Sequence, residues 1–324
     1  MAAPRKGRRR RYSQLTRGDK IALAIFAGVP AALHIAFVWV PAISTAALSF
    51  TEWDGLKLGT WKLIGFKNYW SVFTVFDGKF FPALFNNLIL LVFLSGCSVV
   101  GILFAYLLDK NIRGTAIYQS VFYMPVVLSL AVVGFIWKGV MWSPRQGMFN
   151  VILGRTAQGD QIDWVGNAQK IFTFHVPFLD TPLGLSKNFA ALLIAMAWRH
   201  IGYVMVLYLA GLKGTDPTLD DAAAVDGAGA WQRFRYVTWP QLRGVNTVVF
   251  AVTVIDSLRT FDIVWAMTQG GPYHSSELLS TYMFQQGFTF LNLGYASAIA
   301  VVIFALALIF IITYLVRQTK EEVS

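Results

Sequence analysis

Six long apolar stretches constrain the fold of this chain more than any other feature of its sequence. A bilayer core about 30 Å thick is crossed by roughly 20 helical residues that rise 1.5 Å each. Apolar stretches of this length recur along the 324 residues, so we predict an all-α polytopic membrane protein with six transmembrane helices. The predicted spans are residues 21–50, 87–108, 118–137, 188–212, 244–267 and 292–316.

The composition favours a membrane protein over a large soluble core. Hydrophobic residues make up 56% of the chain and charged residues 14%, whereas a soluble domain carries about 25% charged residues. The formal net charge of +10 is compatible with a nucleic-acid partner. However, the lysines and arginines lie at the ends of apolar runs, as membrane topology requires, so we predict no nucleic-acid partner. The single cysteine, Cys97, indicates neither an internal disulfide nor a Cys-based metal site.

The basic N-terminus precedes the first apolar stretch. The apolar core of a signal peptide has 7–15 residues, and the uncharged stretch 21–50 is far longer. We therefore predict a cytoplasmic basic tail over residues 1–20, followed by a retained first transmembrane helix over 21–50. Pro30 and Pro41 interrupt that stretch, which predicts a helix over only part of its length.

Charge bias sets the orientation of the spans. Positive residues concentrate in the cytoplasmic segments of membrane proteins, and six spans put both termini on one side. With both termini in the cytoplasm, 16 lysines and arginines are inside and eight are outside. The inner ones are Arg5, Lys6, Arg8, Arg9, Arg10, Arg11, Arg17, Lys20, Lys110, Arg113, Lys213, Arg233, Arg235, Arg243, Arg317 and Lys320. The outer ones are Lys57, Lys62, Lys67, Lys79, Arg145, Arg155, Lys170 and Lys187.

Residues 215–244 are a polar island that this orientation places in the cytoplasm. Asp216 and Pro217 are typical of the N-cap and first position of a helix, and the alanines that follow favour the helix. Gly227 offers a left-handed stop. A second short helix is predicted over 230–238, with Pro240 ending it or bending its last turn. The island is therefore predicted to be a helix–turn–helix outside the membrane.

One face of the first island helix carries Leu219, Ala222, Ala223 and Asp226, following the i, i+3, i+4, i+7 rule. This face is small and smooth enough for a partner's backbone to approach closely. The alternatives are a helix lying in the lipid headgroups and a DNA-binding helix–turn–helix. The helix is acidic, so an anionic membrane surface or nucleic acid would repel it. We predict that it docks into a cleft on a protein.

The island resembles the EAA loop of binding-protein-dependent ABC importers. The similarity is carried by Asp221-Ala-Ala-Ala-Val-Asp-Gly-Ala228, by Phe234, and by Val237-Thr-Trp-Pro240. The family pattern is Glu-Ala-Ala-x-x-Asp-Gly-Ala followed, eight residues on, by Ile-x-Leu-Pro. This chain departs from it at Asp221, Val237 and Trp239, and keeps the spacing from glycine to proline.

Other segments narrow the resemblance to carbohydrate permeases of that family. They extend it over roughly residues 20–317, with 51–86 as an outer loop, 87–317 as the ABC type-1 transmembrane domain and 318–324 as a cytoplasmic tail. The segments are Ser49-Phe50-Thr51-x-Trp53, Gly65-Phe66-x-Asn68-Tyr69, Met124-Pro125, Trp137, Gly147, Asn150, Trp164-Val165-Gly166-Asn167, Phe261-Asp262, Thr268-x-Gly-Gly-Pro272 and Gly294-Tyr295-Ala296-x-Ala298.

The resemblance implies a type I ABC importer permease fold with a cytoplasmic coupling helix. It also implies four partners: a second permease subunit, a cytoplasmic ATPase dimer, an extracytoplasmic sugar-binding protein and a sugar of the oligosaccharide class. The chain has no Gly-x-x-x-x-Gly-Lys-Ser/Thr loop, so ATP–Mg is expected on the partner ATPase and no cofactor on this chain. The ATPase-coupling residues implied are Asp221, Ala222, Ala223, Asp226, Gly227 and Ala228, supported by Phe234 and Pro240.

Charged residues within the predicted fourth and fifth spans form a second constellation. A charge near the middle of a membrane costs a few kcal/mol unless it is paired or hydrated. One reading is a water-filled path in which these residues bind sugar hydroxyls; the other is mutual neutralisation through the i, i+3 pairs Asp256–Arg259 and Arg259–Asp262. The candidate substrate-path residues are Arg199, Asp256, Arg259, Phe261 and Asp262.

Three alternatives remain open at the level of sequence. A stand-alone secondary transporter would couple its intramembrane charges to protons or Na⁺, although the inverted repeats of such carriers are not evident. An ABC permease for another solute, such as glycerol phosphate or an amino acid, would carry the same island. A membrane enzyme is disfavoured because no catalytic or metal-binding grouping stands out among His34, His175, His200 and His274.

Overall fold

The chain divides into two compact units, Met1–Ala47 and Leu48–Ser324. The computed structural model describes residues 16–57, 59–74, 78–110, 113–177, 179 and 182–323. Most of the predicted basic tail therefore lies outside the described residues. The units are taken in turn.

The described part of the first unit is one long helix, which ends at Leu48. It comprises α1 (Arg17–His34), a π-helical turn (Ile35–Trp39) and α2 (Val40–Leu48). Thr16 caps α1 because its Oγ1 accepts a hydrogen bond from Asp19 N at 3.2 Å, and Asp19 Oδ2 accepts one from Thr16 N. Helical structure covers almost the whole apolar stretch, so the prediction that prolines restrict it to part was wrong.

The geometry around Pro41 explains that outcome. Proline lacks the N–H that an α-helix uses and its ring crowds the preceding turn. The π-helical turn Ile35–Trp39 lies immediately before it, and Val40 N bonds to Ile35 O, one residue further back than in an α-helix. The wider turn accommodates the proline without ending the helix.

The second unit is built mainly from helices. Short breaks at 128–129 and 260–261 separate consecutive helices. The helices are α3 (Lys67–Phe73), α4 (Phe80–Asp109), α5 (Thr115–Val127), α6 (Leu130–Ile136), α7 (Met148–Ile152), α8 (Lys187–Leu212), α9 (Pro217–Val225), α10 (Ala230–Arg233), α11 (Trp239–Gln241), α12 (Arg243–Arg259), α13 (Asp262–Met267), α14 (Leu279–Phe284) and α15 (Leu293–Val323), with π-helical turns at Trp137–Met141, Phe234–Thr238 and Gln285–Thr289.

Two small antiparallel hairpins modify the all-α prediction. β1 (Thr51–Glu52) pairs with β2 (Lys62–Leu63), and β3 (Lys170–Phe174) pairs with β4 (Leu183–Ser186). Both hairpins lie in segments predicted to be outer loops. They stiffen long connections that have no apolar face with which to form a helix.

Four helices in the described part of the chain are long and apolar enough to cross a membrane: Gly18–Leu48, Phe80–Asp109, Lys187–Leu212 and Leu293–Val316. A fifth candidate is the pair Thr115–Val127 and Leu130–Met141, which meet at a bend of 103°. The structure therefore supports four or five of the six predicted spans, and the count of six remains a prediction.

The third predicted span, 118–137, is not one continuous helix. Leu128 has extended geometry with ψ 142°, and Ser129 begins α6 as its N-cap, accepting a hydrogen bond from Val132 N at 3.4 Å. Pro125, near the end of α5, removes one backbone donor from the last turn. A proline followed by a capping serine therefore divides the span.

The fifth predicted span, 244–267, is divided as well. α12 ends at Arg259, and Thr260 leaves the helical region with ψ 119°. Hydroxyl groups satisfy the backbone at this break: Thr260 Oγ1 donates to Asp256 O at 2.5 Å, and Ser280 Oγ donates to Thr260 O. The break is a hydrogen-bonded feature of the fold.

Helix α4 is the centre of the second unit. It packs along α8 and also contacts α12 and α14. Buried asparagines tie it to other segments: Asn87 Nδ2 donates to Ser257 O at 2.6 Å, and Asn86 Nδ2 donates to Glu277 O at 2.9 Å. Side-chain hydrogen bonds of this kind join helices in membranes, where the hydrophobic effect cannot distinguish neighbours from lipid.

Candidate functional site

The polar island has the predicted helix–turn–helix structure. α9 begins at Pro217, with Asp216 as its N-cap. Asp216 Oδ1 accepts two hydrogen bonds, from Thr218 N at 2.9 Å and from Thr218 Oγ1 at 2.8 Å. These hydrogen bonds lower the pKa of Asp216 below its ordinary value. The carboxylate is therefore ionised at neutral pH and satisfies the first turn of α9.

Gly227 forms the turn, as predicted. Its φ is +81°, in the left-handed region where a β-carbon is disfavoured, and Gly227 N donates to Ala224 O at 3.1 Å. A β-carbon at this position would meet no atom within 4 Å. The requirement for glycine is thus set by the backbone conformation, and the space around the turn is open.

The second island helix continues past the predicted end. α10 passes into the π-helical turn Phe234–Thr238 and then into α11, which contains Pro240. Trp239 N bonds to Phe234 O, the same widening that precedes Pro41. α11 ends at Gln241, and after Leu242 the chain enters α12. Pro240 therefore bends the path between island and membrane helix and does not end it.

Side chains hold the two island helices together. Asp216 N donates to Gln241 Oε1 at 3.0 Å, which joins the start of the island to its end. Arg233 Nη1 lies 3.4 Å from Asp220 Oδ2. The sequence analysis did not identify these partners, because residues 13 and 25 positions apart give no local signal.

The surface of the island is open. In the part of the chain that the structure describes, α9 buries none of its side chains. Of the predicted coupling residues, Asp221, Ala222, Asp226 and Gly227 are exposed, and Ala223, Ala228 and Pro240 are half-buried. Large apolar side chains also face outward here: Val225 is 88% exposed, Trp231 72% and Tyr236 74%. Such a surface fits a protein partner better than water alone.

Phe234 connects the island to the membrane helices. Its half-buried ring lies 5.1 Å from that of Tyr106 on α4, 5.8 Å from Trp231 and 6.2 Å from Trp239. The four rings form one aromatic cluster at the base of the island. Phe234 therefore packs the island against α4.

A cavity of about 670 Å³ lies under the island. Its walls combine island residues with the facing sides of four helices, α4, α8, α12 and α15. The walls are formed by Ser95, Ser98, Val99, Val100, Ile102, Leu103, Tyr106, Tyr208, Ala230, Trp231, Phe234, Trp239, Asn246, Val249, Phe250, Thr253 and Tyr314.

The intramembrane charges lie near one another without forming close ion pairs. Both Arg199 and Arg259 interact electrostatically with Asp256. Among the described residues, however, the ion pairs within 4.0 Å involve other side chains. The expected pairing of Arg259 with Asp262 across an uninterrupted helix is also prevented by the break at Thr260–Phe261. The pairs Asp256–Arg259 and Arg259–Asp262 are therefore not formed.

The other candidate substrate-path residues differ in their surroundings. Arg199 Nε is buried and makes no hydrogen bond within the described residues. Phe261 lies at the helix break, with its ring 5.3 Å from that of Trp265 and 5.0 Å from that of Phe284. A small cavity of about 250 Å³ adjoins Arg259 and Phe261. The structure thus brings these two candidates together, while Asp262 is exposed at the start of α13.

The fold and the island together define a class of membrane protein. It has several apolar helices, and the hydrogen-bonded polar island connects two of its helices, α8 and α12. Residues 97–321 match the family described as "Binding-protein-dependent transport system inner membrane component". The chain belongs to this family.

Individual relatives span nearly the whole chain. It is 33% identical over 299 residues to the osmoprotective compounds uptake permease protein GgtC of Synechocystis sp., covering 90% of this chain and 98% of that protein. It is 31% identical over 298 residues to the multiple sugar-binding transport system permease protein MsmF of Streptococcus mutans serotype c, covering 91% and 94%.

The solved structures with a similar fold include a chain of a bacterial alginate ABC transporter in complex with an alginate pentasaccharide-bound periplasmic protein. The TM-score is 0.71 at 20% identity, and the match covers 92% of this chain and 93% of that chain. At this identity the likeness concerns the fold, which is that of a type I ABC importer permease. The protein is therefore a transport subunit of an inner membrane.

Proposed function

We propose that this chain is the permease subunit of an ATP-driven importer for a saccharide, most simply an oligosaccharide. The observation that carries the proposal is the island: an exposed acidic helix, rigidly capped and turned, that continues through Pro240 into α12. The name of the relative MsmF, which describes a multiple sugar-binding system, supports a sugar as the cargo. The alginate transporter has the same fold.

The proposed coupling runs from a cytoplasmic ABC ATPase dimer to the membrane helices. The ATPase cleft receives α9 and the Gly227 turn, and uses ATP–Mg that this chain does not bind. Closure of the ATPase displaces α10, and the aromatic cluster around Phe234 conveys the displacement to α4 while Pro240 and Leu242 convey it to α12. The cavity under the island then changes shape as the transporter alternates its access.

The proposed assembly includes a second permease subunit of the same family and an extracytoplasmic sugar-binding protein. In the proposed topology of six spans with both termini in the cytoplasm, the island lies on the ATPase side and the two hairpins lie on the side of the binding protein. The break at 260–261, with Arg259 and Phe261 beside it, and the Asp256–Arg199 region are the proposed lining of the sugar path.

The test is reconstitution of the transporter. A tagged chain is purified from its native membrane with its associated subunits, and the complex is placed in proteoliposomes with its binding protein. Uptake of five labelled saccharides (xylose, maltose, maltotriose, diacetylchitobiose and raffinose) is measured with and without ATP. We expect import of at least one of them, dependent on ATP and on the binding protein. Uptake by this chain alone without ATP would instead indicate a secondary transporter.

A second candidate cargo is an osmoprotective compound, because the relative GgtC is named for the uptake of such compounds and is 33% identical to this chain, against 31% for MsmF. The same proteoliposomes distinguish it when labelled glucosylglycerol, glycine betaine, glycerol 3-phosphate and glutamine are added to the assay. Import of one of these, without import of any of the five saccharides, would replace sugar as the cargo and leave the coupling proposal intact.

A further inference from the structure

A polar cavity on the side predicted to face outward is separate from the intramembrane charges. Its volume is about 530 Å³, within the usual range of small-molecule sites. Four segments build it: β1 and its continuation, α3 with the residues just before it, the residue that precedes α4, and the stretch from the π-helical turn Gln285–Thr289 into α15. It is lined by Glu52, Trp53, Ile64, Lys67, Asn68, Ser71, Lys79, Gln286, Phe290, Asn292, Gly294 and Tyr295.

The framework of this cavity is fixed by hydrogen bonds and close packing. Asn68 Nδ2 donates to Ser49 O at 2.9 Å and to Thr51 O at 2.8 Å. Gly294 N donates to Trp53 O at 3.2 Å. A β-carbon on Gly294 would lie 1.9 Å from Thr51 O, so only glycine allows the two segments to approach this closely. The cavity is therefore preorganised, which lowers the entropy lost on binding.

The lining has the two components that recognise a saccharide. Trp53, Phe290 and Tyr295 offer aromatic surfaces for the apolar C–H faces of a sugar ring. Glu52 carries a carboxylate, which accepts hydrogen bonds from hydroxyls, and Asn292 carries a carboxamide, which can donate and accept. A few placed polar groups among aromatic walls are typical of small-molecule sites.

The ring of Phe290 is the accessible aromatic surface at the mouth. It is 51% exposed, and the Lys79 ammonium lies 5.8 Å from its centroid. Tyr295 is held differently, because its hydroxyl is 3.1 Å from that of Tyr282. Phe290 is thus free to stack on a ligand, while Tyr295 is anchored in the wall.

We propose that this cavity is a saccharide subsite at the outer entrance, where sugar leaving the binding protein is held before it enters the membrane path. This inference rests on the proposed function. It adds a second sugar contact on this chain, distinct from the intramembrane candidates, and built by the residues around Phe290.

The test measures binding and transport separately. The assembled transporter is placed in nanodiscs without its binding protein, and saturation-transfer difference NMR is recorded with each of the five saccharides. We expect transfer to at least one saccharide, reduced at least fivefold in Phe290→Ala and retained in Phe290→Tyr. The matched control is Phe288→Ala, because Phe288 is 67% exposed two residues away and does not line the cavity; its signal should equal that of the native chain.

Proteoliposomes supply the second measurement. In Phe290→Ala we expect sugar uptake to fall at least fivefold, while stimulation of ATP hydrolysis by the loaded binding protein stays within twofold. Equal losses of hydrolysis and uptake would make this a docking surface for the binding protein and overturn the subsite. Sugar import with no saturation transfer, and with normal uptake by Phe290→Ala, would overturn the subsite alone. Failure to import any of the saccharides would instead overturn the proposed function.

Discussion

Gly227 is the residue on which the geometry of the island most depends. Its φ of +81° costs an L-residue roughly 1–2 kcal/mol, and proline cannot adopt it at all. We expect Gly227→Pro to abolish ATP-driven uptake and Gly227→Ala to lower it severalfold, because α9 would be reoriented relative to α10. Uptake in proteoliposomes is the measurement, with the amount of chain inserted in the membrane measured in parallel and expected to be unchanged.

The neighbouring glycine provides the control for this prediction. Gly229 has φ −67°, which any residue adopts, and a β-carbon there would lie 3.6 Å from Gln232 Oε1, an ordinary contact. Gly229→Ala should therefore transport at the native rate. Normal transport by Gly227→Pro would show that the turn does not couple the island to the ATPase.

Asp256 decides between the two interpretations of the intramembrane charges. The close ion pairs that would make it structural are not formed among the described residues, although Arg199 and Arg259 interact with it at longer range. We expect Asp256→Asn to raise the KM of sugar transport severalfold at an unchanged yield of protein, with Asp256→Glu intermediate. An unchanged KM combined with a lower yield would instead assign Asp256 to neutralisation of the arginines.

At the scale of elements, α9 depends on its cap. Asp216 accepts two hydrogen bonds from Thr218, and its lowered pKa means that the ionised form is the one the folded island favours. This stabilisation is present above the ordinary pKa of an aspartate and is lost as the pH falls through the lowered value. It is therefore fully present at neutral pH.

Removing the cap should loosen α9 alone. We expect Asp216→Ala to speed amide hydrogen exchange across residues 217–225 at least tenfold and to reduce coupled ATP hydrolysis, because the first-turn N–H groups lose their acceptor. Asp216→Ser, which can still cap the helix, should restore most of the protection. Equal exchange in the alanine and serine variants would show that the island is held by its other contacts.

Helix starts and turns that depend on neighbouring residues could be predicted from the sequence, whereas helix breaks that depend on distant contacts could not. The Asp216-Pro217 start and the Gly227 turn are written in adjacent residues, and the structure confirms both. The breaks at Leu128–Ser129 and Thr260–Phe261 were missed because hydropathy continues across them. The break at Thr260–Phe261 has a tertiary component, because Ser280 donates to Thr260 O from 20 positions away. The break at Leu128–Ser129 follows Pro125 and the Ser129 cap, which hydropathy alone does not register.

Prolines also show a limit of prediction from sequence, because here the predicted helix breaks are bypassed by π-helical turns. Pro41 and Pro240 were expected to end or bend helices, but each follows a π-helical turn that carries the helix past it. The sequence marks the position of a proline, and only the neighbouring packing determines whether the chain stops or widens. The candidate path was likewise only partly foreseen, since Arg259 and Phe261 meet at a break that hydropathy conceals.

At the scale of the whole molecule, the topology depends on two irregular segments: the bent pair α5–α6 sets the side of the membrane on which the island lies, and α12–α13 sets the side of the C-terminus. The bent pair α5–α6 either crosses the membrane or returns to its starting side, and α12 has 17 residues, about 26 Å of helix at 1.5 Å per residue. Charge bias favours crossing by both. If only one crossed, the C-terminus would lie opposite the N-terminus.

Cysteine labelling resolves each segment separately. Cys97 is the chain's single cysteine and is buried, so Cys97→Ser gives a suitable background. Single cysteines at Arg113 and Ile152 flank the bent pair, and at Trp231 and Tyr273 they flank α12 and α13; all four side chains are exposed. A membrane-impermeant maleimide is applied to right-side-out and to inside-out vesicles.

We expect the maleimide to label positions 152 and 273 from outside and positions 113 and 231 from inside, because six spans alternate the two sides. The two pairs of positions provide internal controls, because each segment has one cysteine position at each of its ends. Labelling of 113 and 152 from the same side would make α5–α6 a re-entrant segment. Labelling of 231 and 273 from the same side would mean that α12 and α13 do not cross, and the island could then lie on the ATPase side only if the bent pair crosses.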